Sequence, residues 1–415
     1  MPPTSQHVPA TTSGSRSLDL AAEAAPDLVA LRRHLHARPE IGLDLPDTQR
    51  AVLDALAGLD LEITLGRSLS SVVAVLRGTA PSPGDGPRPV VLLRGDMDAL
   101  PVTEEVHAAY ASTRPGAMHA CGHDLHMAAL VGAARILHTR RDELAGDVVL
   151  MFQPGEEGPG GAAPMIEEGL LEVAGRRVDA AYAVHVFSAE RPFGVWFGRP
   201  GPQMAAADEV HVRVLGRGGH GSAPHRSLDP VPVACEIVLG LQTLVTRRFD
   251  IFDPVVLTVG RISSGTKDNI IPDEAQLEAT LRTYSAATRA RAHAEIERLA
   301  SGIATAHGLA AEVEIVHGYP VTVNDESEFA LARQVAVDLF GTERWADMAE
   351  PEAGSEDFSF VLEQVPGAYL NVSACPAADP LAAPDNHSPR AAFDDAVVPD
   401  VAALLAELAL RRCLL

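Results

Sequence analysis

Lysine is nearly missing from this 415-residue chain: Lys267 is the only one, and arginine supplies the remaining positive charge. Catalysis through a Schiff base on a lysine amine therefore has almost no residue to reside on. Cysteine is scarce too. Cys121, Cys235, Cys375 and Cys413 are far apart and show no paired spacing, which fits a reducing, cytoplasmic compartment better than a disulfide framework. Positive charge is in deficit overall, with a formal net charge of -23, so nucleic acid and anionic membrane surfaces would repel the chain. No apolar run approaches the roughly 18 residues that a membrane span needs. The H-E-x-x-H helix of common zinc proteases does not occur, nor does the H-x-E with C-x-x-C pattern of zinc deaminases.

What is present describes a loop-rich globular protein, with 31 prolines and 34 glycines, long enough for several domains. Residues 1–17 are rich in Pro, Ser and Thr and lack an apolar h-region, so they read as a disordered tail rather than a signal peptide. Strand-like apolar runs then alternate with helical patterns, the mark of an α/β sheet with helix-covered faces. Leu28, Leu31 and Leu35 at i, i+3, i+7 predict a helix over 18–37 that stops before Pro39. Buried strands are expected over 89–93, leading into Gly95-Asp96-Met97-Asp98, over 148–152, leading into Gln153-Pro154-Gly155-Glu156-Glu157, and over 180–184, ending at His185. Each would deliver polar side chains just past its carboxyl end, where open α/β sheets place their ligands.

From Glu209 to Leu215 the pattern changes to strict alternation, with Val210, Val212 and Val214 on one face and His211 and Arg213 on the other, typical of a sheet with one wet face. A helix over 231–246, strands over 255–261 and 275–283, a helix over 287–307 and a strand over 311–316 complete a β-α-β-β-α-β order, a ferredoxin-like small domain. The expected architecture is a mixed-sheet α/β catalytic domain built from 18–204 and 318–415, with an inserted α+β domain over 205–317.

The chemistry is concentrated in Met118-His119-Ala120-Cys121-Gly122-His123-Asp124, taken with Glu156-Glu157, His185 and His387. Thiolate, imidazole and carboxylate donors together suit a borderline transition metal such as Zn, Mn, Co or Ni. Singly, each has a blander reading: a lone buried cysteine is usually an inert small hydrophobe, and a lone histidine more often satisfies a local hydrogen bond. Jointly they are harder to explain that way, because two adjacent glutamates in a Pro-Gly loop repel unless a cation or proton shares their site. A helix over 124–139 begins directly after Cys121 and His123, and its positive end favours a nearby thiolate. A cysteine hydrolase, with Cys121 as nucleophile and His123 or His185 as base, is the alternative. It leaves Glu157 and His387 without a task. Two other motifs are decoys. Gly216-Arg217-Gly218-Gly219-His220-Gly221 matches G-x-G-x-x-G but follows an amphipathic strand, with Pro224 where a dinucleotide helix would open; Gly260 to Lys267 approximates a phosphate loop with Thr266 in the lysine position.

In its motifs the chain resembles the aminoacylase and carboxypeptidase family of dinuclear metallopeptidases, in the branch of hippurate hydrolases, plant auxin-conjugate amidohydrolases and bacterial N-acyl-amino-acid amidohydrolases. The likeness runs through Leu31-Arg32-Arg33-His34-Leu35-His36, Gly95 to Pro101, His119 to Asp124, Gln153 to Gly158, Gly218 to His225, Asn269 to Asp273, Gly354 to Phe358 and Asn386-His387-Ser388. It implies that Cys121, His123, Glu157, His185 and His387 hold two divalent metal ions, that Glu156 is the general base and that Asp98 orients the groups in front of it. It also implies that His220 reaches a neighbouring subunit's active site in a homodimer formed through the inserted domain, stabilising the developing oxyanion. Asn269 and Arg282 become substrate-carboxylate or oxyanion contacts, and the loop from Gly354 walls the substrate pocket. The expected reaction is hydrolysis of an N-acyl or N-aroyl amino acid to a carboxylic acid and a free amino acid. Dipeptidase or carboxypeptidase relatives are the nearest competing class, although they tend to carry His where this chain has Asp96 and an acidic residue where it has His185. A non-catalytic metal-binding relic is the remaining alternative. Lys267-Asp268 before Asn269 departs from the small or apolar residues expected there.

Overall fold

The computed structural model describes residues 13–415 except Asp85. Its first strands are Glu62–Leu65 (β1), Val72–Arg77 (β2), Val90–Asp96 (β3), Asp147–Gln153 (β4) and Ala180–Phe187 (β5). β3 and β4 are buried along their whole length, as parallel strands covered on both faces must be. β3 lies between β4 and β5 and is parallel to both, and Gly367–Ser373 continues the parallel set beside β5. β1 and β2 add antiparallel partners at the β4 side, so the eight-stranded sheet is mixed.

Three helices, Ser13–His36 (α1), His123–Thr139 (α3, following α2 at Pro46–Leu56) and the C-terminal Val397–Arg412, pack on one another. Leu28 and Leu35 of α1 are buried in this core, as their spacing predicts. Close approach is possible because α3 carries a glycine at the crossing: a Cβ on Gly132 would lie 2.7 Å from both Ala402 Cβ and Leu28 Cδ1. A polar tie crosses the same helices, with the Arg140 guanidinium donating to Glu407 at 3.0 Å and the Ser17 hydroxyl donating to it at 3.1 Å.

That tie corrects one expectation. Residues 13–17 belong to α1 rather than to a tail, because Ser17 is buried against Arg140 and Glu407; residues 1–12 of the expected tail lie outside the described residues. His185 is a second correction. It sits inside β5, opposite Asn371, rather than past the strand's end. No helix of the described residues is long and apolar enough to cross a membrane.

By contacts the chain divides into two units: the first reaches to Gly201 and resumes over Val323–Ala349 and Phe360–Leu415, and the second holds Pro202–Thr322 with Glu350–Ser359. The second unit has a four-stranded antiparallel sheet of Ala206–Leu215, Val255–Ser264, Glu274–Thr283 and Ala310–His317, with Ala206–Leu215 and Glu274–Thr283 central. Helices Pro230–Arg248 and Ala286–Ala306 bury Ile237, Leu241, Ile296 and Ala300 with Val210, Val212 and Val214. Asp229 and Ser285 cap these helices, accepting the N–H groups of Val231 and Thr288 at 3.0 and 3.1 Å. A further ladder, Gly219–His220 against Ile270–Ile271, carries no periodicity that sequence could reveal. The attachment of Glu350–Ser359 to this unit likewise departs from the continuous limits expected for the insert.

Candidate active site

The first unit brings the predicted ligands together. The donor atoms of Cys121, His123 and His185 lie within 4.8 Å of one another, and so do those of Cys121, Glu157 and His387 and those of His123, Glu156 and Glu157. Cys121 is common to two of these groups, with Sγ 3.4 Å from His185 Nε2 and 3.3 Å from His387 Nε2. The backbone between Cys121 and His123 is held by Gly122 at φ 83°, in the left-handed region. Side-chain space is also denied there, since a Cβ would fall 2.3 Å from Val186 Cγ2.

Hydrogen bonds fix the ring of His123 and the backbones of Glu156, Glu157 and His387. His123 Nδ1 lies 2.8 Å from the Asp98 carbonyl, which can only accept, so Nδ1 carries a proton and a neutral ring has its lone pair on Nε2. Asp98 is buried, and its two oxygens accept the backbone N–H groups of Glu156 at 2.9 Å and Glu157 at 3.0 Å. His387 takes a positive φ of 70° and donates its N–H to the Ala120 carbonyl at 2.8 Å.

Electrostatics follow the packing. Hydrogen bonding to Cys121 and to Glu157 raises the His387 imidazole to about 10. Burial disfavours the Glu157 carboxylate, yet the hydrogen bond from His387 and the nearby His123 hold it below its usual value. Burial, reinforced by His126, pushes His185 well below the ordinary histidine value.

The donor set fits a divalent cation on a specific observation. His123 Nε2 is buried and completes no hydrogen bond among the described residues, while Glu157 Oε1 faces the His387 and His123 Nε2 atoms at 3.3 and 3.8 Å. A buried imidazole nitrogen without a partner is costly unless a cation satisfies it, and the same cation would suit the converging thiol and carboxylate.

Three supporting residues were not given roles by sequence reasoning. Asn386 Oδ1 accepts the Ser188 N–H at 2.9 Å, which turns its amide nitrogen toward the Val186 carbonyl at 3.0 Å and Cys121 Sγ at 3.7 Å. One side chain thereby joins the end of β5, the Cys121 loop and the His387 loop. Asp96 pairs with Arg94 and with His126 Nδ1, both at 2.6 Å, while His126 Nε2 accepts the Val186 N–H at 2.9 Å. Behind the Cys121 loop, Asp124 pairs with Arg32 and His36, both at 2.7 Å. The signal for these was an acid or amide embedded in an apolar run or tight turn, which patterning alone does not assign.

In the second unit, His220 is exposed on its short ladder, opposite Ile270, and Gly221 donates to the Asn269 carbonyl at 2.9 Å. His220 and Asn269 are therefore neighbours. Arg282 Nη1 donates to Ser355 Oγ at 3.2 Å, beside Gly354. A further cluster of Asp208, His293 and His317 has donor atoms close enough for a metal. Its carboxylate is already saturated by Arg289 Nε and Nη2, His293 Nε2 and the Gly318 N–H, so it reads as structural.

Comparison with known proteins agrees with the fold. The family model described as peptidase family M20/M25/M40 matches residues 92–411. The N-acyl-L-amino acid amidohydrolase of Geobacillus stearothermophilus is 38% identical over 314 residues, covering 74% of this chain and 81% of its own. Thermostable carboxypeptidase 2 of Saccharolobus solfataricus is 37% identical over 347 residues, covering 83% and 84%. Among solved structures, a Bacillus subtilis dinuclear metal binding peptidase from the M20 family is similar with a TM-score of 0.80 at 30% identity, covering 94% of this chain and 99% of that one. These likenesses define a hydrolase of the metallopeptidase and amidohydrolase class. The chain belongs to the peptidase family M20/M25/M40 and is a metal-dependent amidohydrolase.

Proposed function

We propose that this enzyme hydrolyses N-acyl or N-aroyl amino acids to a carboxylic acid and a free amino acid, with Cys121, His123, Glu157, His185 and His387 holding two divalent ions. The observation that carries the reading is the single thiol common to an imidazole group and a carboxylate group, next to a buried His123 Nε2 without a hydrogen-bond partner. Zn, Mn, Co and Ni all suit such donors. Bound ions of this kind supply Lewis acidity and acidify water toward neutral pH. Glu156, whose backbone Asp98 fixes, takes a proton from the attacking water on a carboxylate oxygen and returns it to the departing amine nitrogen. His220 donates a hydrogen bond to the carbonyl oxygen as it gains charge, while Asn269, Arg282 and the Gly354 loop hold the substrate's carboxylate end. The G. stearothermophilus relative's name supports an acylated amino acid as substrate. The S. solfataricus name supports a peptide. Asp96 favours the first, because its ion pairs with Arg94 and His126 leave it a support rather than the ligating histidine of the dipeptidase pattern.

The unit Pro202–Thr322 serves as the lid and homodimer contact, with His220 of one subunit acting at the other's site. Its support is an edge strand, Val255–Ser264, that exposes Ile262 and follows Phe252 at 90% exposure. The free thiols fit a cytoplasmic location.

The test is a hydrolysis screen of metal-reconstituted enzyme on acetyl, benzoyl and indoleacetyl amino acids beside dipeptides, with a chelated control. Release of free amino acid from acylated substrates, lost on chelation and restored by metal, is expected. Turnover of dipeptides alone would make the enzyme a peptidase, and metal uptake without any turnover would make it a binding relic.

A further inference from the structure

His220 Nδ1 is met by two donors from one residue, the Ser222 backbone N–H at 3.1 Å and the Ser222 hydroxyl at 2.9 Å. A backbone N–H can only donate, so Nδ1 presents its lone pair, and a neutral ring carries its one proton on Nε2. The backbone around the ring is confined. Gly221 donates to the Asn269 carbonyl at 2.9 Å, and a Cβ on Gly221 would lie 3.1 Å from that carbonyl. A Cβ on Gly218 would lie 2.8 Å from the Ile271 carbonyl. The turn that presents His220 thus also delivers the donors that set its protonation pattern.

We propose that Ser222 is a positioning residue that locks neutral His220 as the Nε2–H tautomer, so that His220 meets the reacting amide as a hydrogen-bond donor and never as a proton acceptor. This rests on the reading of His220 as the oxyanion partner, and it deepens that reading by leaving the base role to Glu156 alone. An oxyanion needs an N–H aimed at it, whereas the opposite tautomer would turn a lone pair toward the developing negative charge. The backbone N–H alone leaves the ring free to pivot; the hydroxyl supplies the second point that holds its plane.

The test uses the full-length, metal-loaded protein labelled with ¹⁵N-histidine, at about pH 9, where ordinary imidazoles are neutral. Two-bond ¹H–¹⁵N spectra report which ring nitrogen is protonated, and the His220 signals are those missing from His220→Asn. The wild type is expected to show a protonated Nε2 and a bare Nδ1. In Ser222→Ala the two ¹⁵N shifts are expected to move toward each other, with kcat on the best acylated substrate falling on the order of fivefold, the worth of one neutral hydrogen bond, and KM unchanged. Ser222→Thr is expected to restore both. A protonated Nδ1 in the wild type, or ¹⁵N shifts indifferent to Ser222→Ala, overturns the proposal. Because the spectra need no turnover, failure of the substrate assignment is seen separately, in the absence of hydrolysis by the wild type.

Discussion

Asp98→Asn isolates what orientation contributes, because it changes one atom behind the site and none of the proposed ligands. In the native chain both Asp98 oxygens accept backbone N–H groups, the buried one of Glu156 at 2.9 Å and the part-buried one of Glu157 at 3.0 Å. An asparagine offers one accepting oxygen. The other N–H must face an NH₂ group, so a charge-assisted bond is lost and a buried donor is stranded. Stranding such a donor costs about 1 to 3 kcal/mol. Expressed fully in the placement of Glu156, that corresponds to a fall in kcat of roughly 5-fold to 150-fold. The assay pairs initial rates on an acylated amino acid with elemental analysis of the same sample. Metal content near wild type with reduced kcat is the expected result. Wild-type kcat at full metal content would refute the reasoning, and parallel loss of metal and rate would show that Asp98 serves Glu157 rather than Glu156.

Three further outcomes follow from the same geometry. Glu156→Gln is expected to keep its metal while losing on the order of 10²-fold to 10⁴-fold in rate, and near-normal turnover would remove Glu156 from the base role. Cys121→Ser replaces a soft thiolate with a hard hydroxyl, so metal stoichiometry should fall by elemental analysis, and unchanged stoichiometry would count against Cys121 as a ligand. Burial disfavours the charged form of His36, yet Asp124 raises the ring from 6.5 to about 9. A raised histidine stabilises the fold fully below its unfolded value and loses that contribution as pH rises through the folded one. Between pH 6 and pH 9.5 the wild type should therefore lose about 3 kcal/mol more stability than His36→Gln in denaturant titrations. Parallel pH profiles would disprove it.

Long periodic elements were legible in the sequence. The alternation of Val210, Val212 and Val214 and the Leu28, Leu31, Leu35 spacing each identified an element whose ends the structure moves by a few residues. The start of α1 was not legible, because Ser13-Gly14-Ser15-Arg16-Ser17 is a poor helix former held in register by Arg140 and Glu407, far along the chain. The sequence places His185 at a strand end because the apolar run stops at it, whereas pairing with Gly367–Ser373 carries β5 on through Phe187. The ladder under His220 has two residues on each side, too short for any pattern. The ligand candidates were conspicuous as residue types in glycine-rich turns. Their supports, Asn386 and the Asp96–His126 pair, were not, since what they do depends on which backbone groups happen to lie opposite.

Sharing one sulfur between two donor groups would give the proposed metal centre a redox weakness. Oxidation of Cys121 to a sulfenate would strip a donor from both groups in a single event, whereas loss of His185 or His387 would disarm only one. An oxygen-only centre would be indifferent to peroxide; the proposed one would tie its working lifetime to the thiol-reducing capacity of its surroundings.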